Sequence, residues 1–174
     1  MGISIDEGRR RQERLRLQFR PARVELLFVG ESPPASGRFF YQGDSGLYRA
    51  MRDAFLIADP SMSAVSFLDA FQTSGCYLID LCREPVNHRD RRSRHAACLA
   101  REPSLSLAIR RLRPSKIVTV VRSIEANVAR AAFRAGWTGP FLHLPYPGRW
   151  SHYKDRFVQD LVKSITQHRQ SASS

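Results

Sequence analysis

Three short apolar runs, at residues 24–29, 76–81 and 116–121, each give way to a polar loop or turn and then to helical sequence. That alternation leaves few architectures open. Each run is rich in residues that favour strands, and its length suits a mostly buried strand rather than a helix. Strand, helix and strand in succession imply parallel strands whose connecting helices cover the sheet. Residues 141–144, Phe-Leu-His-Leu, read as a fourth, shorter strand. Between the strands, Leu47, Met51, Ala54 and Phe55 mark one apolar helix face, with Asp44 or Ser45 as its cap. Phe67, Leu68 and Phe71 mark a short helix stopped at Gly75. Helical sequence continues from about residue 94 to 112, with a break expected near Pro103, then from 123 to 135, and finally from 153 to 167. The expected fold class is α/β: a single three-layer domain over residues 23–167, with a central, mostly parallel four-stranded sheet. Residues 1–22 read as a basic N-terminal arm or short helix, and residues 168–174 as a disordered tail.

Charge narrows the choice of partner. The 174-residue chain has 28 Lys and Arg against 16 Asp and Glu, a formal net charge of +12. Nearly all of the positive charge is Arg, since Lys occurs only at 116, 154 and 163. Arg favours planar contacts with phosphate and stacks on flat rings, so nucleic acid is the expected partner. No stretch approaches the roughly 20 apolar residues that span a bilayer, so no membrane partner is expected. The N-terminal stretch lacks a charged segment leading into an apolar one. Three Cys, an odd number, argue against a disulfide framework. A cytoplasmic monomer with reduced thiols is expected.

The first apolar run ends in Gly30-Glu31-Ser32-Pro33-Pro34. Gly30 lets the backbone turn and the two prolines stiffen the loop after it, so Glu31 stands at the carboxyl end of a strand on a rigid support. In open α/β sheets that edge is where ligands bind. Three loops gather there. Residues 30–46 offer Glu31, Phe39, Phe40 and Tyr41. Residues 83–94 offer Arg83, Asn87, His88, Arg89, Arg91, Arg92 and Arg94. Residues 145–152 offer Tyr146, Arg149, Trp150 and His152. A carboxylate, flat rings, an amide and a basic rim on one edge fit an enzyme or binder of a flipped-out base.

Four segments in this order resemble motifs of the uracil-DNA glycosylase superfamily, most nearly its family-four branch, which carries an iron–sulfur cluster. Gly30-Glu31-Ser32-Pro33-Pro34 stands where that branch has Gly-Glu-Ala-Pro-Gly. Residues 37–43, Gly-Arg-Phe-Phe-Tyr-Gln-Gly, are similar to Gly-x-Pro-Phe-Val-Gly and put Phe40 in the place of the ring that stacks on uracil. Residues 82–89, Cys-Arg-Glu-Pro-Val-Asn-His-Arg, are similar to Cys-Arg-Pro-Pro-x-Asn-Arg. Leu144-Pro145-Tyr146-Pro147 stands for His-Pro-Ser-Pro. The resemblance implies a hydrolase that cuts the N-glycosidic bond of uracil in single- or double-stranded DNA, leaving an abasic site and free uracil. It implies that Glu31 stabilises the sugar cation and orients water. Phe40 stacks on the base, while Asn87 and backbone N–H groups at Gly30 and Ser32 meet it. Arg83, Arg89, Arg91, Arg92, Arg94 and Arg149 bind DNA, and Tyr146 or Trp150 fills the gap left by the flipped nucleotide.

The sequence departs from that branch in three respects. Cys82 and Cys98 have the spacing of its last two cluster ligands, but the N-terminal Cys pair is missing. A cluster needs its full ligand set, so no metal and no cofactor are expected, and Cys76, Cys82 and Cys98 read as small buried hydrophobes. The family's uracil-reading Asn is Leu78 here, with Asp80, two residues on and on the same strand face, as a substitute. The last-motif His is Leu144, which leaves His143 and His152 as alternatives. Leu78 and Leu144 also motivate a second expectation, a nucleic-acid-binding member of the fold without chemistry. A third is an enzyme acting on a free nucleotide.

Overall fold

The computed structural model describes residues 5–62, 67–148 and 151–172. Its centre is a parallel sheet of four strands: β1 (Leu26–Gly30), β2 (Cys76–Asp80), β3 (Lys116–Thr119) and β4 (Phe141–His143). The spatial order is β2-β1-β3-β4. β1 is buried along its whole length, as expected of a central parallel strand with both faces covered. In register, Gly30 lies beside Asp80, and Val29 beside both Ile79 and Thr119.

Among the described residues, six helices surround the sheet: α1 (Ile5–Gln18), α2 (Gly46–Ala58), α3 (Phe67–Thr73), α4 (Arg91–Leu112), α5 (Glu125–Arg134) and α6 (Ser151–Ala172). The chain leaves β1 in one direction to reach β2, then returns past β1 to reach β3 and β4. Right-handed crossovers therefore place α2 and α3 on one face and α4 and α5 on the other. The packing agrees, since α2 packs on α6 and α4 on α5. The reversal of direction between β1 and β3 makes a crevice at their carboxyl ends, the place where open α/β sheets hold ligands.

Two devices fix the elements that carry the site. Tyr41 sits in a 3-10 turn (Phe40–Gln42), and its hydroxyl donates to the Leu78 carbonyl at 3.0 Å and accepts from the Leu78 N–H at 2.8 Å. Leu78 is on the edge strand, so this one side chain occupies backbone groups that an open edge would expose. Phe40 packs edge-on against Tyr41 at 5.0 Å, and Phe40, Tyr48, Phe55, Phe67 and Phe71 pack on one another with centroids 5.3–5.9 Å apart in several of their contacts. On the other face Glu102 is buried between α4 and α5. It accepts from Arg130 Nη2 at 2.6 Å and from Asn127 Nδ2 at 2.9 Å. Burial works against its charge, but these donors hold its carboxyl below the ordinary carboxylate range. The two helices whose first turns face the crevice are thereby fixed to each other.

Two segments differ from expectation. α4 runs unbroken through Pro103. Proline removes one backbone bond and crowds the carbonyl four residues back, but Cys98, Glu102, Leu105 and Ile109 are buried on either side of it and hold the helix straight through. α6 continues to Ala172, past the expected end at residue 167, because Gln-His-Arg-Gln-Ser-Ala contains no helix breaker. The basic N-terminal segment is a full helix docked on the domain. Phe19, just after it, stacks on Tyr41 at 5.8 Å, and Gln72 donates to the Gln18 and Arg20 carbonyls. No described helix is long and apolar enough to cross a membrane.

Candidate functional site

A cavity of about 240 Å3 opens at the crevice between the carboxyl ends of β1, β2 and β3. Its floor and walls include Glu31, Pro33, Phe39, Phe40, Asp80 and Tyr146, so all three strand-end loops contribute. Its volume lies below the roughly 300–1,000 Å3 of a drug-sized ligand site, which suits a single ring system. A wider concavity of about 650 Å3 lies at the opposite, amino edge of the sheet, around Pro21, Gly75 and Ile165. Its charged groups Arg23 and Glu25 are paired with each other at 2.7 Å, and it offers no convergent chemistry.

Glu31 is 9% exposed. Arg94 grips it with both ends of its fork: Nε donates to Oε1 at 2.8 Å, and Nη2 donates to Oε2. Ser123 Oγ adds a third bond to Oε1 at 3.2 Å. The local sequence explains this placement. Asp90 caps α4 by accepting from the Arg92 and Ser93 N–H groups at 2.9 and 3.0 Å, so Arg94 falls in the first turn, facing the crevice. The Arg94–Glu31 hydrogen bond raises the guanidinium pKa further. Glu31 and Arg94 also line a second hollow of about 720 Å3 on the β3 side, whose wall carries Arg89, Arg91, Arg92 and His95. Glu31 thus forms part of the boundary between a small, largely apolar cavity and a broad basic groove.

Asp80 is the other acidic group of the cavity. No donor among the described residues bonds its carboxyl. Burial pushes it up to about 7, with Arg16 pulling the other way and Glu31 adding to the rise. Near neutral pH this group can hold a proton and donate it in a hydrogen bond. Tyr146, 46% exposed on its loop, has its hydroxyl pKa raised by burial of the ring and by Asp80. Gly30 makes room for Asp80, since a Cβ there would lie 2.5 Å from Oδ1. Gly30→Ala should lower the thermal midpoint by an amount worth about 1–3 kcal/mol. In an Asp80→Ala background the same change should cost much less. Equal losses in both backgrounds would show that another contact is responsible.

The other expected site residues divide clearly. Ser32 Oγ accepts from the Val86 N–H at 3.2 Å, and Asn87 Oδ1 from the Ala35 N–H at 3.3 Å, so both tie the first loop to the second while lining the cavity. Phe40 lines the cavity but is 3% exposed and is also a core ring, with Tyr41 edge-on at 5.0 Å. Arg83, Arg89, Arg91 and Arg92 are exposed on the flanks. Arg94, expected on DNA, is instead bonded to Glu31, because the α4 cap aims it inward. His143 and His152, expected as catalytic, do not line the cavity. His143 Nδ1 lies 2.8 Å from Thr119 Oγ1 and its ring stacks on Phe141, while His152 is exposed against Tyr153. A shift of one residue along β4 from Leu144 turns the His143 side chain to the other face. Arg149 and Trp150 lie outside the described residues.

Cys76, Cys82 and Cys98 are buried, with the last two sulfurs 3.8 Å apart. Burial first, and then Cys98, push the Cys82 thiol up to about 12. The described residues contain no cluster of three or more His, Cys, Asp or Glu side chains that could hold a metal ion. Sequence reasoning missed Ser123, which sits after β3 in a stretch with no motif. A comparison with protein-family models finds no match to this chain, and neither does a comparison with curated proteins.

Proposed function

We propose that the cavity receives a single base turned out of a DNA strand, and that the protein hydrolyses the N-glycosidic bond of uracil there. The observation that carries this reading is the position of Glu31, shared by a base-sized cavity and an Arg-rich groove. A base in the cavity with its backbone in the groove would put its sugar beside this carboxylate. The C1′–N1 bond breaks with its electron pair leaving on the base, and water adds to C1′. Glu31 stabilises the positive sugar and accepts the proton of the water. The departing base needs donors, and the cavity offers backbone N–H groups of the first loop, Asn87 and a protonated Asp80. Phe39 and Phe40 supply the apolar wall.

The Arg94–Glu31 pair favours a second reading. A carboxylate already neutralised by a bidentate guanidinium is a weaker stabiliser of a cation, which suits a binder of extruded bases without chemistry. Incubation with an oligonucleotide containing one uracil, followed by alkaline cleavage, separates the two. Cleavage at the uracil position supports the glycosylase reading. Salt-dependent binding with no cleavage supports the binder.

Tyr146 makes a further prediction. It projects from a loop whose Pro145 and Pro147 are buried, a stiff mount for a ring pressed into a helix. Unpairing and unstacking the base costs a few kcal/mol in duplex DNA and little in single strands. Tyr146→Ala should therefore slow excision from duplex at least tenfold more than from single strands, in single-turnover assays. Equal slowing would remove the ring from base extrusion.

A further inference from the structure

We infer that α1, with Arg83, is a second phosphate-binding surface, which holds the DNA strand on the β2 side of the cavity. The inference rests on the base-binding reading of the cavity but not on its chemistry. On the β2 side a hollow of about 300 Å3 adjoins the cavity and shares Pro33, Phe39 and Asp80 with it. Its wall carries Arg9, Arg10, Arg16 and Arg83 against Glu13 and Asp80. Arg16 is engaged with Glu13 at 2.6 Å, and Arg9 with Glu84 at 2.8 Å. The basic surface then continues between α1 and α4, where a further hollow includes Arg16 and Arg83 and adds Arg20, Arg101 and Arg111 with no acidic group besides Asp80. Positive charge is therefore in excess along this whole flank.

Sheet order gives the two basic surfaces their relation. The groove with Arg89, Arg91 and Arg92 reaches Ser123 and Asn127, beyond β3, while the α1 hollow lies beside β2. β1, which ends at the cavity, runs between those strands. A strand whose base enters the cavity has phosphates on both sides of that nucleotide. The groove takes those on one side, and the α1 surface meets those on the other. Guanidinium groups suit the task because they bond phosphate oxygens in pairs.

The test is binding of a thymine-only single-stranded oligonucleotide, measured from 50 to 300 mM salt, so that excision plays no part. Each phosphate neutralised on a single strand contributes about 0.7 to the slope of log affinity against log salt. Changing Arg9, Arg10 and Arg83 together to Gln, which keeps helix propensity, should reduce the slope by roughly 2 and weaken binding at least tenfold at low salt. The corresponding Lys variant should restore the slope. A control that changes Arg110, Arg134 and Lys163, exposed on α4, α5 and α6, to Gln should change the slope by less than half as much. An unchanged slope in the α1 variant, equal losses in the control, or no salt-dependent binding by the unaltered protein would overturn the inference. Loss of uracil excision with the α1-dependent slope intact would remove the glycosylase reading alone.

Discussion

Glu31→Gln lowers uracil release from a DNA strand by two to three orders of magnitude, the result expected if its carboxylate stabilises charge that develops in the transition state. Removing one preorganised group of that kind typically costs about 3–4 kcal/mol of barrier. The fold should survive. The amide keeps the shape of the side chain, Ser123 can still donate to its oxygen, and the Arg94 side chain is 36% exposed and can turn to water in the groove. Breaking the pair should therefore cost roughly 1–2 kcal/mol of stability. Thermal midpoints measured beside single-turnover rates separate the two effects. A rate that falls only in proportion to the folded fraction would make Glu31 a structural partner of Arg94.

Asp80→Asn should have the second large effect, on stability as a function of pH. Burial holds the Asp80 carboxyl near 7 in the folded protein, against an ordinary 3.8. Between these values the folded state binds the proton more tightly than the unfolded state. The stabilisation is complete below about pH 4 and is lost as pH rises through 7. Asn has no charge to bury, so it escapes the loss. The stability gap between variant and parent should open from near zero at pH 4 to roughly 2–3 kcal/mol in favour of Asn at pH 8, allowing for solvent screening at the cavity mouth. Urea midpoints at pH 4 and pH 8 measure it. A gap that does not change with pH would mean that Asp80 is as well solvated as a surface carboxylate.

The range of each interaction decides whether the sequence reveals it. β1, β2 and β3 were legible because parallel strands buried on both faces are continuous apolar runs. The placing of Glu31 and Asp80 at one sheet edge came from topology alone. The Arg94–Glu31 grip spans 63 residues and depends on the exact phase of α4, set by the Asp90 cap, so no local pattern announces it. The dual place of Phe40, core ring and cavity wall at once, depends on packing against α3, which spacing does not encode. His143 shows the limit from the other side. Its type suited catalysis, but strand alternation turns it from the cavity to Thr119. Pro103 misled for a related reason, because burial on both sides of it outweighs one lost backbone bond.

In the proposed function, the cavity between β1, β2 and β3 holds a uracil while its glycosidic bond breaks beside Glu31. The most direct measurement is free uracil released from a single-stranded oligonucleotide, quantified by chromatography beside the abasic sites formed, for the unaltered protein and for Glu31→Gln. Uracil and abasic sites are expected in equal amounts from the unaltered protein, with release at least a hundredfold slower from the variant. Tight binding of the oligonucleotide with no free uracil would contradict the proposed function, and would leave a protein that holds DNA without cutting the base from it.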